Sequence, residues 1–325
     1  MTGENGHGTS RGEFLKRTGG AAAVVAGAGV GAGALARSAA AADQRTYTAG
    51  RFALDIDGAS VGRFVGLDGG NLENEVVNDP PGPDNIQKKH VANVKWTNCT
   101  IQTGSGMSAS FYKWVKDAFD HGFDSSAARR TSVIAAGSRG EEAFRRSFSQ
   151  ALITEVTIPA LDTSSTKVCQ IPVTFTSQLV TDSKPSGLPV VAAKQKAWLC
   201  SNFRLSLDGI NTASRVSKID SFTWKCAILD TGSPPVIDVG NITVHCDLSI
   251  LPDFQQWLAN LQQGADDERD GSLTIVGGGG VLTIGLFNLG VFGLRPDHAP
   301  GQLPNGRFVA DMYCERATWD MKKNV

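Results

Sequence analysis

The residues able to do chemistry are few and scattered. Five histidines occur, His7, His90, His121, His245 and His298, and none belongs to a His-Glu-x-x-His helix that would hold zinc beside a general base. His245 falls on the polar side of an alternating segment, beside Thr243 and Asp247. Six cysteines, Cys99, Cys169, Cys200, Cys226, Cys246 and Cys314, include no Cys-x-x-Cys pair, so neither a structural zinc site nor a dithiol redox centre is written here. Asp55-x-Asp57-Gly58 lacks the third acidic position and the distal glutamate of a calcium loop, and reads as a turn. Asp266 to Gly271 is an acidic run that reads as a solvated loop, with a weak cation site as the alternative. Gly277 to Gly280 has no Gly-Lys-Ser/Thr after it, so it is a flexible hairpin tip and not a phosphate cradle. Gly104-Ser105-Gly106 is not a nucleophile elbow. No spacing points to a Ser/His/Asp group assembled in space. The expectation is a protein with no catalytic residue, no cofactor and no metal, and not an enzyme.

Composition narrows the classes further. Of 325 residues, 41% are hydrophobic and 19% charged, which is enough apolar side chain for a packed core. The net charge is −1, without the basic excess of a general nucleic-acid binder, so no sequence-specific nucleic acid is expected as partner. Residues 1–42 read as a leader or a disordered tail. Arg11-Gly12-Glu13-Phe14-Leu15-Lys16-Arg17 is a basic stretch, Gly19 to Leu35 is weakly apolar, and Ala39 to Ala42 suits cleavage. The block resembles a twin-arginine export signal in which Gly12 replaces the second arginine. Glycine and alanine supply too little transfer energy for a membrane anchor. The chain is expected outside the cell or in a particle if this leader works, and in the cytoplasm otherwise. Removing it takes away Arg11, Lys16, Arg17 and Arg37 but only Glu4 and Glu13, moving the balance further from basic.

The elements that must position any site come in two similar sets. Phe52 to Gly58 returns as Phe203 to Gly209, an offset of 151, and Phe111-x-x-Trp114-Val115 returns as Phe254-x-x-Trp257-Leu258, an offset of 143. Val168 to Val180 matches Phe308 to Trp319 near an offset of 140. Slowly drifting offsets in a constant order predict a tandem duplication. Each set opens with period-two strands turning at Asp57-Gly58 or Asp208-Gly209. A second strand follows at Gly62 to Leu67 or Arg215 to Leu229, then a middle strand at Val94 to Gln102 or Ile242 to Ile250. One helix comes next, with Phe111, Trp114, Val115, Ala118 and Phe119 on one face, or Phe254, Trp257, Leu258 and Leu261, capped by Asp253. Closing strands are expected at Ile153 to Ile158 and Lys167 to Leu179, and at Leu273 to Val276, Val281 to Leu294 and Arg307 to Trp319. The fold class is mainly β: two tandem antiparallel β-sandwich or barrel domains, each with one short flanking α-helix. The first spans residues 43–185 and the second 190–325, with Thr181 to Pro189 as linker. A hairpin turning near Gly209 to Ser214 would set Cys200 opposite Cys226 for a disulfide; buried free thiols are the alternative.

Phe-x-Leu-x-Ile-Asp-Gly followed by Gly62-Arg63-Phe64-Val65-Gly66-Leu67 resembles the opening of tail-tube proteins of contractile phage tails and related injection systems. Val94 to Gly104, Phe111 to Phe119 and Pro159 to Leu179 follow in that family's order, and the second set follows more loosely. The resemblance implies β-barrel-like domains that join side by side into six-domain rings, which stack into a hollow tube. It implies self-association, with sheath- or baseplate-like proteins as further partners. Asn71 to Lys89, with Asn71, Glu73, Glu75, Lys88 and Lys89, and the tip from Gly277 to Gly280 are its candidates for ring-to-ring contact. Two domains per chain suggest three chains per pseudo-sixfold ring. A tube initiator or hub adaptor shares these features, and a secreted two-domain binding module or hydrolase is the alternative from another class.

Overall fold

The computed structural model describes residues 52–121, 128–136, 140–190, 197–227, 236–298 and 306–323, with backbone only at 93 and 94. The leader read from residues 1–42 lies outside them. In the first half, β1 (Phe52–Ile56) and β2 (Ala59–Phe64) meet at Asp57-Gly58, where both residues have positive φ (51° and 84°), as an Asp-Gly hairpin requires. Then come β3 (Gly66–Gly69), β4 (Leu72–Asn78), β5 (Lys89–Trp96), β6 (Cys99–Thr103) and a first helix, Ala109–His121. The half closes with β7 (Arg129–Ala136), β8 (Glu142–Ile158), β9 (Leu161–Asp162), β10 (Ile171–Thr176) and β11 (Leu179–Ser183). The second half runs β12 (Trp198–Leu207), β13 (Val216–Ile219), β14 (Phe222–Ala227), β15 (Val236–Val239) and β16 (Ile242–Asp247). A second helix, Leu251–Gln262, precedes β17 (Arg269–Gly277), β18 (Gly280–Pro296) and β19 (Arg307–Lys322).

The fold is mainly β and antiparallel, with one α-helix in each half among the described residues. In the first half β8 is long enough to serve two sheets. Its N-terminal part lies between β7 and β11, and its C-terminal part pairs β10, which leads on to β6 and β3. In the second half β18 is also 17 residues long. Its N-terminal part lies between β17 and β19, and its C-terminal part stays on β19, which leads on to β16 and β13. The registers correspond. Leu54 opposes Val133 as Leu205 opposes Leu273, and Ile101 opposes Val173 as Val244 opposes Ala310. Both long strands slip register at the corresponding place, beside Phe175 and beside Val291.

A single continuous core runs through residues 52–323, which lie in one compact unit. Trp114, Trp198, Trp224, Trp257 and Trp319 are its largest fully buried side chains.

Several boundaries differ from the sequence reading. The strand expected over Val94 to Gln102 breaks at Thr97-Asn98, where Asn71 N–H donates to Thr97 Oγ1 (2.9 Å) and Gly70 N–H donates to the Asn98 carbonyl (3.0 Å). Asp253 does not cap the second helix. Pro252 pre-sets the first turn, and Asp247 instead accepts from Ser249 N–H to cap a short 3-10 turn, Leu248–Ile250, which ends the predicted strand early. Asp253 sits in the first turn, where its carboxylate faces the positive end of the helix dipole. The expected loop Asn71 to Lys89 is mostly a hairpin, β4–β5. The expected strand Arg215 to Leu229 is two strands, β13 and β14, and its last residues lie outside the described ones. The Thr181 end of the expected linker belongs to β11.

Candidate assembly interface

The two halves are joined by sheet extension. Phe222, Trp224 and Cys226 alternate with Thr223 and Lys225, so β14 buries one face. Its mate is the C-terminal part of β8: Phe222 opposes Ile158, Thr223 opposes Thr157, Trp224 opposes Val156 and Lys225 opposes Glu155. Thr157 and Thr223 share a hydroxyl hydrogen bond of 2.9 Å, Ser221 Oγ donates to the Ile158 carbonyl (2.9 Å), and Lys225 lies 3.7 Å from Glu155. Trp224 stacks on Phe119 of the first helix at 4.4 Å, and Trp319 of β19 touches the same ring at 5.7 Å. In return β9 of the first half pairs with β13 of the second, where Leu161 opposes Ile219.

The first helix is therefore enclosed from both sides. Phe111, Tyr112, Trp114, Val115, Ala118 and Phe119 are all buried. Tyr112 donates to the Gly104 carbonyl (2.7 Å), lies 6.2 Å from Trp198, and carries Lys323 over its ring; Lys323 Nζ also donates to the Met107 carbonyl. Burial lowers the Lys323 pKa. The second helix, by contrast, buries only Phe254 and Trp257.

Charge fixes the edges. Arg145 on β8 forks onto Glu142 (2.8 and 2.9 Å) and reaches Asp55 of β1 (2.9 Å), while Ser186 donates to Glu142 (2.7 Å). The Arg145 hydrogen bonds outweigh burial and hold the Glu142 carboxyl down at about 2. Arg146 forks onto Asp182, whose pKa it lowers, and donates to the Gly70 carbonyl and to Asn71 Oδ1, which pins the base of the β4–β5 hairpin.

The sequence-predicted site residues divide into two groups. Asn71, Glu73, Glu75, Lys88 and Lys89 are all exposed on the β4–β5 hairpin, which pairs with no other strand among the described residues. Leu72, Val76, Ile86 and Val91 are exposed there too. Gly277 and Gly280 do form a hairpin tip, but one that packs closely against Trp198 and Ser105. A Cβ at Gly277 would lie 2.4 Å from Trp198 Cδ1, one at Gly279 2.6 Å from Ser105 Cβ, and Gly280 is buried, its carbonyl taking the Trp198 Nε1 proton (3.2 Å). Cys200 and Cys226 lie on strands that do not pair, and none of the six cysteines is in a disulfide. The Cys200 thiol hydrogen-bonds Cys169, and burial pushes Cys99 and Cys246 up to about 12.

His245 sits between Asp297 (3.1 Å) and Asp220 (3.5 Å) on the polar face of β16, and His90 meets Asp79 at the exposed hairpin. Among the described residues no cluster of three His, Cys, Asp or Glu side chains could hold a metal, and no helix is long and apolar enough to cross a membrane. The sequence reading missed the seam on β8. Its signal was the Phe222/Trp224/Cys226 alternation, a buried face whose partner was not identified.

Residues 48–178 match the sequence model of the family described as T4-like virus tail tube protein gp19. That stretch runs from β1 through β10, and the match is to the family whose opening the sequence resembles. No curated protein matches the chain. Among solved structures, the anti-feeding prophage cap (AFP tube terminating cap) is 19% identical with a TM-score of 0.35, covering 42% of this chain and 89% of that one. The PVC sheath-tube complex of an extracellular contractile injection system, in its extended state, is 17% identical with a TM-score of 0.35, covering 42% and 90%. Hcp1 from Flavobacterium johnsoniae is 9% identical with a TM-score of 0.27, covering 41% and 94%.

Proposed function

We propose that this chain is a structural subunit of a contractile-injection-like particle, built by tandem duplication of a tail-tube module, and that it assembles with itself into rings around a lumen. The observation that carries this reading is the junction of the halves: β14 of one extends the sheet of the other along β8, as neighbours in a ring of sheets must. The repeated strand order and registers support duplication. Two such modules per chain make three chains the natural complement of a pseudo-sixfold ring. Rings stack through the outer part of the exposed β4–β5 hairpin, where Glu75, Lys88 and Lys89 lie, and sheath- or baseplate-like proteins are the further partners. The packed Gly277–Gly280 tip takes a smaller part. The chain acts as a scaffold and carries out no catalysis, and it reaches its particle by export where the leader is used.

Negative-stain microscopy of the purified full chain tests this reading. Rings or short tubes with a central hole are expected. Rings that never lengthen would select the initiator or hub role, and a monomer at high concentration would overturn the proposal. Turnover of a substrate abolished by one point change would favour a hydrolase instead.

A further inference from the structure

The seam inside one chain contains the register of the seam between chains. Every contact of β14 on β8 has an equivalent position in the other half, fixed by ladders that correspond residue for residue. Leu72 opposes Trp96 at the base of β4–β5, and Trp224 opposes Val239 at the base of β14–β15. The flanking bonds repeat as well: Thr97 N–H donates to the Asn71 carbonyl, and Gly240 N–H to that of Thr223, both at 2.9 Å. Leu72 is thus the equivalent of Trp224. On the receiving side, Val156 opposes Val173 and Leu294 opposes Ala310, the equivalent position of the second ladder, so Leu294 is the equivalent of Val156.

Among the described residues these equivalents are open. There the β4–β5 hairpin pairs with no third strand, and β17 leaves β18 after Leu289, so from Gly290 to Pro296 one side of β18 has no mate. Phe292 and Leu72 are about half exposed there (52% and 48%), whereas Trp224 at the filled seam is 2% exposed. The second helix shows the same lack. Leu258 and Leu261, the equivalents of the buried Val115 and Ala118, are only partly buried and line an open depression with Phe292 and Tyr313. β3, the equivalent of β13, also ends its sheet, without the strand that β9 supplies to β13.

We propose that the occupant is a second copy of this chain: its β4 adds to the C-terminal edge of β18, with Leu72 opposite Leu294, Asn71 opposite Arg295 and Glu73 opposite Gly293. Leu72 enters the depression beside the second helix as Trp224 enters against Phe119. Glu73 and Arg295 then share one face as diagonal neighbours about 7–8 Å apart, within reach of an ion pair. The contact is heterologous and uses different surfaces on the two chains, so it repeats from copy to copy until the rotation closes a ring. This assignment rests on the self-assembly reading and adds its donor, its acceptor and its register.

The test is a cross-link in the full chain carrying Leu72→Cys and Leu294→Cys, run alongside microscopy. The native cysteines are all buried and stay out of the reaction. Mild oxidation is expected to join chains into a non-reducing ladder that stops at the ring size. Leu72→Cys with Arg295→Cys, whose side chains fall on opposite faces, is expected to link about tenfold less. As a second variant, Glu73→Arg is expected to weaken association about tenfold, with Arg295→Glu in the same chain restoring it. Rings without the Leu72–Leu294 link, or equal linking of the out-of-register pair, overturn the register while leaving self-assembly standing. Monomers only, in the unmodified chain, overturn both.

Discussion

Replacing Trp224 by alanine tests whether the halves are held by the β14–β8 seam. The indole is 2% exposed, stacks on Phe119 at 4.4 Å and opposes Val156, itself fully buried. Truncating a buried aromatic ring costs about 3–5 kcal/mol. The lower end applies here, because Trp224 Nε1 is buried without a hydrogen-bond partner, so losing the ring also relieves a desolvated donor. Leu72→Ala, at the equivalent position of the first half, removes a half-exposed side chain and should cost below about 0.5 kcal/mol in the single chain. Urea unfolding at low protein concentration, followed by far-ultraviolet circular dichroism, measures both. The expected result is a midpoint lowered by about 3 kcal/mol divided by the m-value for Trp224→Ala, and almost no shift for Leu72→Ala. A loss below about 1 kcal/mol for Trp224→Ala, or equal losses for the two, would refute the seam as the holding contact.

Three further outcomes follow from the packing and charge. Glu142 is held at about 2 against an ordinary value of 4.5, so its stabilisation is complete above pH 4.5 and is lost as pH falls toward 2. The amount is about 3 kcal/mol, and Glu142→Gln should flatten the stability profile across that window; an unchanged slope would remove the Arg145 pair from the account. Gly277→Ala places a methyl on Trp198 and should destabilise by about 1–3 kcal/mol in thermal unfolding, whereas a flexible exposed tip would tolerate it. All six thiols are buried and should resist a thiol reagent until the chain unfolds, then titrate as six; four would restore the Cys200–Cys226 link.

Much of the fold was legible because period-two alternation survives wherever one face is buried. β10, β16 and β17 were readable for that reason, and so was the Asp57-Gly58 turn. The N-terminal part of β8 was not. Arg145 and Arg146 lie there, held by Asp55, Glu142 and Asp182, and such a polar stretch looks like a loop until its ion partners are known. The first helix was legible as a single stripe that included Phe119, but the burial of Tyr112 was not, because its cover, Trp198, comes from far along the chain. The candidate hairpin residues came from the family resemblance and not from a pattern of their own. The hairpin's strand pairing and its exposed Leu72 became meaningful only beside β14, whose equivalent position is filled.

Cryo-electron microscopy of the purified full chain bears most directly on the central claim, that sheet edges left open in one chain are completed by another. The account predicts ring-shaped averages with six similar lobes from three chains, and continuous strand density running from one lobe to the next. A monodisperse single chain at high concentration, its β4–β5 hairpin still unpaired, would contradict it.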